Sequence, residues 1–94
     1  MTNDRGYYME YAVAVFVNRA QCQLFSRSLT KSGIPNSIIS TPRDLGISCG
    51  ISCKFLLTHM NVARNVLHRG NYTSFKNFYK VVPLSNSKFA YIKI

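Results

Sequence analysis

From Glu10 to Val17 the chain reads EYAVAVFV, and no other stretch narrows the choice of fold as much. The run has strand length, is rich in β-branched and aromatic side chains, and is apolar almost without interruption. A strand with one wet face alternates apolar and polar residues, so a continuous run is read as a central strand, covered on both faces.

The rest of the chain supplies elements to pack against it. Asn18 is placed to cap a helix over Arg19–Ser32, whose Cys22, Phe25 and Leu29 recur at helical spacing, widened by Leu24, until Gly33 stops it. Ile34-Pro35 opens a short second strand over Ser37–Thr41, broken at Pro42. Beyond the loop Arg43–Gly50, residues Ile51, Cys53, Phe55 and Leu57 alternate with Ser52, Lys54 and Leu56, the period of a third strand with one buried face. Thr58 is a candidate cap for a second helix with Met60, Ala63 and Leu67 on one side and Gly70 at its end. Phe75, Phe78, Tyr79, Val81 and Val82 mark a fourth strand within Tyr72–Leu84. The closing SNSKFAYIKI leaves open an edge strand or a mobile tail.

The order strand, helix, strand, strand, helix, strand predicts an α+β fold, the ferredoxin-like βαββαβ sandwich, with a four-stranded antiparallel sheet carrying two helices on one face. At 94 residues a single domain is expected, with its core over residues 10–84 and residues 1–9 and 85–94 peripheral or flexible. Such a fold hosts many functions and decides none.

Charge narrows the classes. Twelve Lys and Arg against three acids give a formal net charge of +9, a field that draws phosphates and acidic partners. Asp4, Glu10 and Asp44 are too few for paired-carboxylate hydrolysis or a calcium or magnesium cage. No apolar stretch approaches ~18 residues and the N-terminus does not read as a secretory signal, so a cytoplasmic protein without membrane association is expected. Cys22, Cys49 and Cys53 are an odd number, which argues for free thiols.

The chemistry-bearing segment is PRDLGISCGISCKF, Pro42–Phe55, and within it the loop Pro42–Gly50. Pro42 fixes a backbone angle, Gly46 and Gly50 permit unusual ones, and the loop is expected to present Ser48, backbone N–H groups and the thiol of Cys49. A free cysteine in a small domain is more often a buried small hydrophobe than a nucleophile. Cys22, on the helix stripe, and Cys53, on the core face of the third strand, fit that description. Cys49 sits beside a glycine where no periodicity demands burial, and Arg43 nearby would favour its thiolate.

A strand ending at Phe16, a helix, Gly33-Ile34, then Pro42-Arg43 followed by Cys49-Gly50 entering a strand is similar to the small sulfur/selenium carrier-like domain family of bacteria and archaea, over roughly Tyr11–Val82. The resemblance implies a carrier role; a carrier or binding protein is expected more than an enzyme, and no cofactor is expected. In it Cys49 would hold sulfur or selenium as a persulfide or selenosulfide, Arg43 would stabilise the thiolate, and Gly50 would offer a backbone donor. The implied partners are sulfur or selenium donor and acceptor proteins. This chain departs from the pattern in its basic charge, its thiol at Cys53 and its last ten residues.

Two other readings compete with this one. Cys49 and Cys53 with His59 or His68 lack the paired spacing of a zinc site, so no metal is expected. A basic binding module taking RNA or an acidic protein is the alternative, but Phe55 alone on the third strand lacks the aromatic run of an RNA-stacking sheet. Tyr72, Phe75, Phe78 and Tyr79 interleaved with Lys76 and Lys80 are equally explained by a charged sheet edge.

Overall fold

The computed structural model of the chain describes residues 10–46, 50–84 and 88–94. They form β1 (Tyr11–Phe16), α1 (Arg19–Lys31), β2 (Asn36–Ser40), β3 (Ile51–Leu56), α2 (Met60–Arg69), β4 (Phe75–Pro83) and β5 (Phe89–Lys93), with 3-10 turns at Arg43–Leu45 and Leu57–His59. The strands make one sheet in the order β2-β3-β1-β4-β5, and every neighbouring pair is antiparallel.

β1 lies in the middle, as its unbroken apolar run predicts, and Ala12 to Phe16 are all fully buried. Alternation divides them between two faces. Ala12, Ala14 and Phe16 join the core formed with Cys22, Phe25 and Leu29 of α1, Met60, Ala63 and Val66 of α2, and Cys53 and Phe55 of β3. Val13 and Val15 turn to the other side of the sheet.

Local chemistry sets the ends of α1. The Asn18 side chain accepts from the Gln21 N–H at 3.0 Å. At the far end Gly33 takes φ 83°, a left-handed value open to glycine, and lets the chain reverse. The Gly33 N–H then donates to Thr30 O at 3.0 Å and the Ile34 N–H to Leu29 O at 2.9 Å, a Schellman closure. Ile34 and Leu29 are both buried beneath it, so the Gly-Ile pair both ends the helix and seals its last turn. The start of α2 differs from expectation. Thr58 lies inside the 3-10 turn that precedes the helix, and His59 stands at the cap position without a side-chain hydrogen bond.

The sheet has five strands, not the expected four. The last residues resolve as an edge strand, with Lys93, Tyr91 and Phe89 opposite Tyr79, Val81 and Pro83. The pairing gives β4 a second neighbour and satisfies backbone groups that a four-stranded sheet would leave to solvent.

An aromatic cluster clamps α1 to the sheet. Phe16 meets Phe25 at 5.2 Å between ring centroids, Phe75 at 5.5 Å and Tyr72 at 5.8 Å. Edge-to-face contacts of this kind add to the stabilisation from apolar burial. Phe16→Ala is expected to cost ~3–5 kcal/mol, comparable to the whole stability of a small domain. Urea unfolding measures it, and a loss below about 1 kcal/mol would show that Phe16 is not the hub of the cluster.

Candidate functional site

The loop between β2 and β3 is anchored at its base. Next to the Ser40–Ile51 pair, the Thr41 N–H donates to Gly50 O at 3.3 Å. The hydroxyls of Thr41 and Ser52 share a hydrogen bond of 2.8 Å. Ser52 is the buried polar residue among those described, and a buried hydroxyl without a partner is costly. The pair thus ties the first residue beyond β2 to the strand that leaves the loop.

Above this base Pro42 opens a tight turn. Leu45 N–H donates to Pro42 O at 3.1 Å and Gly46 N–H to Arg43 O at 2.9 Å. Gly46 ends the turn at φ 71°, as expected from its glycine. Arg43 and Asp44 are exposed on the turn, while Pro42 and Leu45 are half-buried. Of the predicted site residues, Pro42, Arg43 and Gly50 are therefore placed on a shaped loop with a fastened base. Ser48 and Cys49 lie outside the described residues.

The other two thiols belong to the core. Cys22 and Cys53 are fully buried. Cys53 donates its S–H to Asn36 Oδ1 at 3.4 Å. The same Asn36 oxygen accepts from Ser26 Oγ, and its amide donates to Thr30 Oγ1 at 3.1 Å and Ile34 O at 3.0 Å. This polar node joins α1, β2 and β3 under the sheet edge. Burial pushes the Cys53 thiol up to about 12, reinforced by the neighbouring Cys22, and pushes Cys22 up to about 11 against a smaller opposing pull from Arg19. Both thiols are held protonated at neutral pH, so neither is a nucleophile there.

The face of the sheet away from the helices holds what sequence reasoning missed. A groove of about 300 Å³ runs across it, lined by Tyr11, Val13 and Lys54, by Val81 and Tyr91, and by Ile39 and Pro42 on the loop side. The available signal was Val13 and Val15: apolar residues on a face that the described helices do not reach need another cover. Phe55 is 1% exposed and points to the helices, so β3 offers no aromatic for stacking on this outer face.

The described residues thus form a small α+β domain that withdraws two of its three thiols from chemistry and fastens a turn-bearing loop over one end of the sheet. The chain belongs to the family described as "Putative Se/S carrier protein-like", whose model matches residues 10–80. The match runs from β1 into β4, and β5 lies beyond it. No curated protein and no solved structure matches the chain. Among the described residues, no helix is long and apolar enough to cross a membrane.

Two outcomes follow from the geometry. Thr41→Val keeps the side-chain shape but strands the Ser52 hydroxyl, at a cost of about 1–3 kcal/mol. The double variant Thr41→Val/Ser52→Ala should cost less than the two single changes added, as read by urea unfolding. The raised thiols also set a pH window. With folded values above the ordinary 9.0, Cys22 and Cys53 contribute stability that is complete below pH 9.0 and lost as pH rises through about 11 to 12. At about pH 8 iodoacetamide should leave both unmodified in the folded protein while modifying both in urea. Equal rates in the two states would contradict their burial.

Proposed function

We propose that this protein carries sulfur or selenium on Cys49, between sulfur- or selenium-handling partner proteins. The observation that carries the reading is the fate of the other thiols. In a member of a family described as Se/S carrier protein-like, Cys22 and Cys53 are buried and held protonated, which leaves Cys49 as the thiol for transfer.

The chemistry is an exchange without net oxidation. The Cys49 thiolate attacks the outer sulfur of a donor persulfide, R–S–SH, and a new S–S bond forms at Cys49. The donor's S–S bond breaks, and the donor thiolate R–S⁻ departs with the electron pair. An acceptor thiolate then attacks the same outer atom and Cys49 leaves as thiolate. Selenium in the outer position follows the same course. Arg43, exposed on the turn, is the cation assigned to favour the thiolate, with Pro42 and Gly46 shaping the loop. Ser48 and the Gly50 N–H are assigned to hold the transferred atom. Free thiols of this kind suit a reducing compartment such as the cytoplasm.

Incubation with a cysteine desulfurase and cysteine, followed by mass spectrometry of peptides, should find one added sulfur on the peptide bearing Cys49. Cys22→Ala should retain it and Cys49→Ser should lose it. An adduct of equal amount on Cys49→Ser protein refutes the proposal. The alkylation rate of Cys49 against pH tests Arg43: Arg43→Ala should move the profile to higher pH, and an unmoved profile removes Arg43 from the site.

A further inference from the structure

The groove on the outer sheet face has a feature that its apolar walls do not explain. Ile39 lies on one edge strand, β2, while Phe89 and Tyr91 lie on the other, β5, yet all three line the same cavity. The sheet therefore curls into a trough, and the turn Arg43–Leu45 reaches across to contact β5. At about 300 Å³ the space is at the lower end of small-molecule sites.

Among the described lining residues the cation of this trough is Lys54. It stands opposite Val13 on β1 and Ser37 on β2, is half-buried, and places Nζ 4.4 Å from the centroid of the Tyr11 ring. Among the described residues the ion pair present is Lys80 with Glu10 at 3.4 Å, so no described carboxylate lies within ion-pair distance of Lys54. A ring face offsets only part of the cost of partly dehydrating an ammonium group. Burial raises the Tyr91 phenol on β5 above its ordinary value, and Asp44, on the turn that contacts β5, adds a smaller push in the same direction. The trough thus joins the Lys54 ammonium group on β3 to apolar walls at Val13 and Val81.

We propose that the outer-face trough is a binding site for a small organic monoanion with a flat apolar body. Its anionic group pairs with Lys54 beside Tyr11, and its body lies over Val13 and Val81 toward Tyr91. Charge complementarity selects the anion, and the bounded volume selects a free small molecule. The site does not rest on the sulfur-transfer reading and stands or falls without Cys49.

The test uses the whole chain, isotope-labelled, titrated with 2-naphthoate and separately with the neutral 2-naphthalenemethanol while amide shifts are followed by NMR. Naphthoate should give saturable shifts at Val13, Lys54 and Val81 and bind more tightly than the alcohol. Lys54→Met should weaken naphthoate about tenfold, the scale of a lost charged hydrogen bond, and erase the preference over the alcohol. Val81→Phe, which fills the trough from a half-buried strand position, should abolish both. The proposal is overturned if naphthoate shifts only helix-face amides such as Arg27 and Arg64, which would be general attraction to a basic protein, or if acid and alcohol bind the native chain equally. The native chain alone decides between these outcomes, so a variant that fails to fold does not blunt the test.

Discussion

Everything in this structure follows from the need to cover β1 on both faces. A strand reading YAVAVF has no side to give to water, and the sheet meets the demand with two different covers. On one face α1 and α2 close over Ala12, Ala14 and Phe16 with a conventional apolar core. On the other face, among the described residues, there are no helices. There the curl of the sheet, the half-buried Pro42 and the side chains of β5 wall a groove over Val13. The second cover is built from a loop and an edge strand, so it leaves a trough where the first leaves none. The loop that bears the candidate thiol is therefore structural at its base whatever its chemistry.

The three cysteines divide by the same logic. Periodicity put Cys22 on a helix stripe and Cys53 on the inward side of β3, and both are buried there. Their neighbours add a constraint that a purely apolar site would not. The Cys53 thiol is one of several groups satisfied by Asn36, which links α1 to the start of β2. Changing Cys53 therefore affects that polar link as well as packing volume.

Much of the architecture was legible because its signals are local. The Asn18 cap, the Gly33 stop and the alternation of Ile51, Cys53 and Phe55 each report a short-range rule, and each element fell within a few residues of its expected bounds. The second helix began later than Thr58 suggested because a 3-10 turn intervenes, and a capping residue alone cannot distinguish that turn from the helix it precedes. The closing strand was ambiguous because its alternation is weak, with Phe89 and Ile92 both exposed. It is fixed by its ladder to β4, a long-range contact. At the loop, the turn Pro42–Gly46 could be anticipated from its proline and glycine. Lys54 was passed over because a lysine alternating on a strand reads as solvent-facing, and only the curl of the sheet brings both edges around it.

The strand order also has a mechanical consequence. Among the described residues β1 has a strand ladder along both sides, whereas β5 has a ladder to β4 on one side and, beyond that, the contact with the Arg43–Leu45 turn. Tension applied at the C-terminus would open that ladder rung by rung, like a zipper. Displacing β1 would require two ladders to slip at once. A load on the last residues would thus strip the outer strand first and leave the β1 ladders and the helix-side core intact.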